Sequence, residues 1–174
     1  SLPIFSDLCD NDTSISLNSG TPLGGIYSVN GNVTSIFTPS PMNIGSNTIH
    51  YSYTDLNGCS GIATENITVY ESPFAVANTT NATCNGYTNG TATLSISGGA
   101  PMYIEDWGIY NPTSLSSGTY GYSVTDMNGC IFSDSIIIYE PNALSVSINT
   151  TNLECYGDSS GTASVNVQAS TMSN

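Results

Sequence analysis

The sequence predicts an all-β protein made of tandem immunoglobulin-like β-sandwich repeats of about 70 residues, each closed by a disulfide. Three observations lead to this prediction. Sequence elements recur at a constant interval, apolar segments alternate with period two, and the five cysteines follow the repeat. No window shows convincing periodicity of 3.6 residues, so we expect no long α-helix.

Recurring segments define the register of the repeats. Residues 54–59 recur as 125–130, and residues 84–94 recur as 155–165, in both cases 71 positions later. The register divides the chain into repeats 1, 2 and 3, which span residues 1–72, 73–141 and 142–174. Repeat 3 holds only half of the pattern. We therefore expect more chain after it, or completion by a neighbouring subunit, and we favour continuation.

Alternation of apolar and polar residues predicts the strands. The clearest cases are residues 48–54, 91–96, 120–125, 144–149 and 161–167, and the tail that follows is a further candidate. Ile136 to Ile138 form a continuous apolar run, which predicts a strand covered on both faces. Gly, Asn, Asp and Pro separate these runs, as expected for turns.

Charge excludes several classes of function. The chain has no Lys or Arg, 13 carboxylates and one histidine, so its formal net charge is −13. Nucleic-acid binding needs basic residues to displace phosphate counterions, so no nucleic-acid partner is expected. No stretch approaches the length of a membrane span, so we expect no membrane insertion. The composition, rich in Ser, Thr, Asn and Gly, favours an extracellular location, cell-surface or secreted.

The cysteines predict one disulfide in each complete repeat. Each has a cysteine near its start and a second after the Asp-x-Asn-Gly segment, so we pair Cys9 with Cys59 and Cys84 with Cys130. Cys155 then lacks a partner. Such bridges would add roughly 4 kcal/mol of stability to domains too small to be comfortably stable alone. The alternative is that the cysteines are buried free thiols.

Repeat 2 resembles the SprB repeat of gliding-motility adhesins. The resemblance rests on residues 84–92, 98–103, 106–107, 115–120, 125–130 and 140–141. Residues 22–28 and 48–59 of repeat 1 resemble the immunoglobulin-like repeat that often accompanies it. The resemblance implies very large surface or secreted proteins of gliding-type bacteria, usually exported by the type IX system. Their repeats serve as stalks and adhesive filaments, and the family implies no catalytic or ligand-binding residues.

Oxygen ligands before the second cysteine of each complete repeat, and after Cys9, suggest calcium, although no cofactor is required for the predicted function. The candidate ligands are Asp10, Asp12, Asp55, Asn57, Asp126 and Asn128. The alternative, which we favour, is a type I turn with a glycine bulge, in which the aspartate caps the turn's amides. The spacing of an EF-hand is absent.

Sequons predict glycosylation at exposed positions. Seven asparagines stand in Asn-x-Ser/Thr sequons, and Ser135 follows Asp134 in a short Asp-Ser-apolar segment that resembles the O-glycosylation site of such bacteria. The candidate residues are Asn11, Asn32, Asn66, Asn78, Asn81, Asn89, Asn149 and Ser135.

The predicted function is a non-catalytic structural segment of an extracellular adhesin or surface filament. Its partners would be further repeats, identical subunits and surface glycans. The alternative, a carbohydrate-binding module, would need an exposed platform of Trp107 with Tyr103 and Tyr110, whereas a lone Trp usually packs a sandwich core. A secreted hydrolase would need facing carboxylates. Glu105 and Asp106 are adjacent in a strand and so point to opposite faces, and nothing suggests a catalytic triad around His50.

Overall fold

Strands account for the regular structure of residues 1–168, the part of the chain that the computed structural model describes. A single turn of 3-10 helix, Pro41–Asn43, is the only helical element there. The strands are β1 (Leu8–Cys9), β2 (Ile15–Ser16), β3 (Ile26–Val29), β4 (Asn32–Val33), β5 (Ile36–Phe37), β6 (Gly45–Thr54), β7 (Ser60–Tyr70), β8 (Pro73–Thr80), β9 (Thr91–Gly98), β10 (Ile104–Asp106), β11 (Gly118–Thr125), β12 (Ile131–Ile138), β13 (Ser145–Thr151) and β14 (Thr162–Gln168). The all-β, sandwich-like prediction is confirmed.

Repeat 1 holds a five-stranded sheet in the order β1-β7-β6-β3-β4 and a two-stranded sheet of β2 and β5. The long antiparallel pair β6–β7 is its centre, with Ile49 opposite Glu65 and Asn47 opposite Ile67. Strand β1 joins the edge in parallel, with Cys9 opposite Tyr70. Eight side chains form the buried core: Leu17, Tyr27, Val29, Phe37, Ile49, Tyr51, Ile67 and Val69. Alternation along β6 places its apolar residues on this one face.

Repeat 2 contains a three-stranded sheet, β10-β11-β12, and a two-stranded sheet of β8 and β9. Burial alternates along β11, where Tyr120, Tyr122 and Val124 are buried. On β12, Ile136 and Ile138 are buried, but Ile137 is 50% exposed. The prediction that both faces of this run are covered is therefore wrong, because the side chains of neighbouring strand residues point to opposite faces and only one face is packed.

Repeat 3 is a hairpin of β13 and β14, in which Val146 pairs with Val167 and Ile148 with Val165. Every residue of both strands is exposed. The predicted strands at 144–149 and 161–167 are present with slightly shifted ends. The further strand predicted in the tail lies outside the described residues.

The contacts divide the chain into two bodies. The first comprises Ser1–Ala75, Ile96–Asp106 and Ser123–Ser133, and the second comprises Val76–Ser95, Trp107–Tyr122 and Asp134–Asn174. The first body therefore contains repeat 1, the first three residues of repeat 2 and two further segments of repeat 2. The repeat boundaries at 72/73 and 141/142 remain predictions from the sequence register.

Candidate functional site

Two turns of identical construction precede Cys59 and Cys130, and we call them the Asp-Asn-Gly turns (residues 55–59 and 126–130). In the first, Oδ1 of Asp55 accepts the backbone N–H of Asn57 at 2.9 Å and that of Cys59 at 2.8 Å. In the second, Oδ1 of Asp126 accepts the same two N–H groups at the same distances. Gly58 and Gly129 follow with φ of 84° and 87°, a region that favours glycine. The predicted turn with an aspartate cap is confirmed.

The surroundings of these turns differ. Asp126 is buried, and its second oxygen, Oδ2, accepts the backbone N–H of Ala100 at 2.8 Å. Asp55 is half-buried and lines a cavity of about 520 Å³. The cavity is lined by Ser1, Thr21, Pro22, Tyr51, Tyr53, Asp55, Cys59, Ser60, Gly61, Ile62 and Ala63. One turn is thus enclosed by protein and the other borders open space.

A disulfide joins Cys9 to Cys130, with the two Cα atoms 5.6 Å apart. This contradicts both predicted pairs, Cys9–Cys59 and Cys84–Cys130, and with them the closure of each repeat by its own bridge. Cys59, Cys84 and Cys155 are free and exposed. The alternative of buried free thiols is wrong for these three cysteines, because all of them are exposed.

The bridge connects repeat 1 to the second Asp-Asn-Gly turn. Near it, Nδ2 of Asn11 donates a hydrogen bond of 2.8 Å to the carbonyl of Ile131, the residue after Cys130. Cys130 is completely buried. Sequence reasoning missed this pairing because it assumed that each repeat closes upon itself.

Three turns begin at the other cysteines, and we call them the cysteine turns (residues 9–12, 84–87 and 155–158). In each, the cysteine carbonyl accepts the backbone N–H of the residue three positions later. The distances are 3.0 Å for Cys9, 3.1 Å for Cys84 and 3.2 Å for Cys155. The five cysteines therefore belong to two kinds of turn, and the disulfide joins one of each kind.

The candidate calcium ligands are used largely as caps of backbone amides. Besides the two aspartates above, Asp10 accepts the N–H of Ser72 at 3.0 Å, and Asp12 accepts that of Cys9 at 2.7 Å. The disulfide brings the turn of Asp10 and Asp12 to the turn of Asp126 and Asn128, whereas Asp55 and Asn57 lie on the other Asp-Asn-Gly turn. In the described residues, no group of three or more His, Cys, Asp or Glu side chains is placed to hold a metal ion. Calcium binding remains a prediction.

All eight candidate glycosylation residues are exposed. The Nδ2 atoms of Asn11, Asn78 and Asn89, to which a glycan would be attached, already donate hydrogen bonds. The other candidates are Asn32, Asn66, Asn81, Asn149 and Ser135. Glycosylation stays a prediction at each of these positions.

The aromatic platform needed by the carbohydrate-binding alternative is not present. Trp107 is only 7% exposed and packs on Tyr122, with ring centroids 5.1 Å apart. Burial of Tyr122, together with the nearby carboxylate of Asp134, raises the pKa of its hydroxyl. Tyr110 packs edge-to-face on Tyr120. Trp107 is therefore part of the core, as a lone Trp in a small sandwich usually is, whereas Tyr110 is 48% exposed.

The candidate catalytic side chains are not assembled into a hydrolase site. Glu105 and Asp106 are exposed neighbours on β10, opposite Val124 and Ser123 of β11. Nδ1 of His50 lies 3.0 Å from Oγ1 of Thr64, its cross-strand partner. Within residues 1–168, Thr64 is the hydrogen-bond partner of the His50 ring, and no carboxylate is bonded to the ring as in a catalytic triad.

Comparison with known proteins agrees with the resemblance drawn from repeat 2. No curated protein matches the chain. None of the described residues forms a helix long and apolar enough to cross a membrane. The model of the SprB repeat family matches residues 76–104, which include β9 and the Cys84 turn. The chain thus carries a SprB repeat, and the suspected resemblance is confirmed over that segment.

Proposed function

We propose that this chain is a non-catalytic structural segment of an extracellular adhesin or surface filament. The observation that carries the proposal is the SprB repeat at residues 76–104, a repeat of cell-surface proteins, within an all-β chain. The absence of Lys and Arg supports an exported role, because a uniformly acidic surface repels other anionic surfaces and stays soluble.

The covalent structure supports a mechanical role. The disulfide spans 121 positions of sequence and ties the start of repeat 1 to the end of β11 through the turn at Cys130. Tension applied along the chain would pass through this bond and not through the strands that it encloses. The link between β7 and β8 is only two residues long, which leaves little slack between repeats.

Further repeats or neighbouring identical subunits are the proposed partners, with surface glycans as the material to which the adhesin attaches. The exposed hairpin of repeat 3 supports further repeats or identical subunits as partners. Its apolar residues Val146, Ile148, Val165 and Val167 share one face and are 56% to 66% exposed. Strands from a following repeat or another subunit would cover this face, as β11 and β12 supply five of the buried residues of repeat 2.

Immunolabelling of intact cells tests the proposal. Antibodies raised against residues 1–168 should label unpermeabilised cells that produce the protein, and protease treatment of intact cells should remove the label. Fab fragments of the same antibodies should reduce attachment of the cells to a surface. An antibody against a cytoplasmic protein is the control. Labelling that appears only after permeabilisation would contradict the proposal.

A further inference from the structure

Five asparagines of the chain are followed directly by glycine, and their side chains differ in how firmly they are held. They are Asn30, Asn57, Asn85, Asn89 and Asn128. Asparagine is among the thermolabile residues, and a following glycine makes it more so, because glycine has no Cβ to keep its backbone nitrogen away from the asparagine side chain. That nitrogen attacks Cγ only when the side chain turns toward it. Hydrogen bonds of the side-chain amide therefore decide which of the five sites react.

Two of these asparagines have both ends of the side-chain amide fixed. Nδ2 of Asn30 donates to Oδ1 of Asn47 at 2.8 Å, and Oδ1 of Asn30 accepts the backbone N–H of Thr48 at 2.9 Å. Asn89 is held by Thr83, whose backbone N–H it accepts at 3.0 Å and to whose hydroxyl its Nδ2 donates at 2.7 Å. Turning either side chain toward the glycine that follows would break two hydrogen bonds.

Glu140 fixes both reacting groups at a third site. Its carboxylate accepts Nδ2 of Asn85 at 3.0 Å and the backbone N–H of Gly86 at 2.7 Å. The amide that would be attacked and the nitrogen that would attack it are thus bound to the same side chain. The negative charge of Glu140 also disfavours loss of the proton from the Gly86 nitrogen.

Asn57 and Asn128, in the two Asp-Asn-Gly turns, are not held in this way. Both residues are exposed, and within residues 1–168 neither side chain makes a hydrogen bond. A Cβ placed on Gly58 or Gly129 would meet no atom within 4 Å, so there is room beside the glycine for a ring to close. The N–H of each glycine donates to the aspartate carbonyl of its own turn, at 3.0 Å in the first turn and 3.1 Å in the second. Both glycines are exposed, so this single bond opens at less cost than the pairs of bonds at the other sites.

We propose that Asn57 and Asn128 are sites of spontaneous deamidation in the folded protein, with water as the co-reactant. The Gly58 nitrogen loses its proton to solvent and bonds to Cγ of Asn57, and the side-chain nitrogen leaves as ammonia, which produces a succinimide ring. Water then adds to one of the two ring carbonyls, and the C–N bond of that carbonyl breaks to give aspartate or isoaspartate at position 57. The same steps at Gly129 convert Asn128. Each conversion consumes one water, releases one ammonia and adds one carboxylate to the 13 of the chain, without oxidation or reduction.

Isoaspartate at position 128 would lengthen the chain inside the second Asp-Asn-Gly turn. In isoaspartate the main chain passes through the side chain, which adds one carbon atom between the N–H groups of residues 128 and 130. Oδ1 of the buried Asp126 accepts both of these groups. After ageing, the N57Q variant, in which position 128 still converts, should therefore lose more melting temperature than N128Q, in which position 57 does. An equal loss would overturn this consequence.

Incubation of the purified protein in mildly alkaline buffer made with heavy-oxygen water tests the proposal. Hydrolysis of the ring leaves one heavy oxygen atom in the product, and mass spectrometry of peptides reads it at each of the five sites. Pepsin in ordinary acidic buffer produces the peptides, so the label marks only conversion that occurred in the folded protein. Asn57 and Asn128 should convert about five-fold faster than the other three, or more, since one hydrogen bond that must first break slows a reaction by about this factor.

Two controls separate the effect of structure from that of sequence. Glu140→Ala frees Asn85 and Gly86, and it should raise the rate at Asn85 toward that at Asn57 while the rate at Asn128 stays unchanged. Incubation in urea, which removes the hydrogen bonds at every site, should bring the five rates together. Equal rates at the five sites of the folded protein would overturn the proposal, and so would site differences that persist in urea. This chemistry is independent of surface attachment, so failure here would leave the proposed function standing.

Discussion

At the scale of single residues, the aspartates of the two Asp-Asn-Gly turns differ in burial and in the number of hydrogen bonds that they accept. Asp126 is buried and accepts three backbone N–H groups, from Asn128, Cys130 and Ala100. Asp55 accepts two and is only half-buried. Hydrogen bonds to a charged group contribute more to the free energy of unfolding when the group is shielded from water, because no bond to water then replaces a broken one.

We therefore expect Asp126→Asn to lower the free energy of unfolding by about 2 kcal/mol, since the amide nitrogen cannot accept the N–H of Ala100. The matched change Asp55→Asn should cost less than about 1 kcal/mol. Urea denaturation followed by tyrosine and tryptophan fluorescence measures both. Equal effects of the two substitutions would show that burial of the turn does not matter.

Asp7 introduces a dependence of stability on pH. Its carboxylate accepts the backbone N–H of Thr68 at 2.9 Å and the hydroxyl of Tyr70 at 3.2 Å. The bond from the Thr68 backbone is the main reason that the pKa of Asp7 lies below its ordinary value of 3.8, and the Asp7 carboxylate raises the pKa of Tyr70. A lowered pKa in the folded state means that ionised Asp7 stabilises the fold above pH 3.8 and loses this effect as the pH falls through its folded pKa.

Replacing Asp7 by Asn should therefore lower the melting temperature at neutral pH, and the difference from the unchanged protein should shrink as the pH is lowered below about 4. Tyr70→Phe removes one of the two donors and should reproduce part of the effect. Thermal melts between pH 2 and pH 7 provide the measurement. A difference that stays constant over this range would contradict the role assigned to the Asp7 carboxylate.

At the scale of elements, the β13–β14 hairpin repeats the construction of β8–β9. Oγ1 of Thr80 lies 2.7 Å from Oγ1 of Thr91, and the corresponding Thr151 and Thr162 are 2.8 Å apart. In β9 the face bearing Ala92 and Ile96 is buried or half-buried, whereas every residue of β14 is exposed. The local sequence therefore forms the hairpin without a packed face.

We expect Val167→Thr to reduce binding of a hydrophobic dye such as ANS and to change the melting temperature little, since an exposed substitution costs at most about 0.5 kcal/mol. The matched change Val124→Thr places a hydroxyl at a fully buried position. It should cost about 1 to 3 kcal/mol. A large loss of stability in the Val167 variant would mean that this face is packed in solution.

At the scale of the whole molecule, the Cys9–Cys130 bridge has the largest expected energetic effect. It closes a loop of 121 positions, for which the chain-entropy model gives a stabilisation of about 5 kcal/mol. Replacing both cysteines by Ala should therefore lower the melting temperature strongly, whereas Cys59→Ala should leave it nearly unchanged. Calorimetry compares the two variants. A large effect of Cys59→Ala would instead favour the pairing that repeat spacing predicts.

Forced extension of the chain should also reveal the Cys9–Cys130 disulfide, through the length that the bond prevents from extending. With the bridge closed, the enclosed 121 positions cannot lengthen, which hides about 400 Å of contour length at 3.3 to 3.6 Å for each residue. Single-molecule pulling from the two termini should recover this length after reduction or in the double alanine variant. Equal lengths before and after reduction would contradict the mechanical role of the disulfide.

The strands and turns were predictable because both follow from local chemistry. Period-two alternation at 48–54 and 120–125 places apolar side chains on one face, and β6 and β11 occupy these positions. The aspartate cap of the Asp-Asn-Gly turns needs only residues within the turn. Exposure of Ile137 was not predictable, because the pattern of three isoleucines does not say whether a second layer covers the outer face.

The sequence by itself determined the all-β class, the interval of 71 positions between its recurring segments and the turn chemistry. Only the tertiary structure decided which cysteines meet, that Trp107 is buried, and that Cys59 borders a cavity. The physical reason is the range of the interactions. Turns and strand alternation depend on neighbours in the chain, whereas a disulfide forms between whichever cysteines the packing of strands brings within bonding distance. Spacing along the chain cannot report that distance when the bond crosses from one repeat to the next.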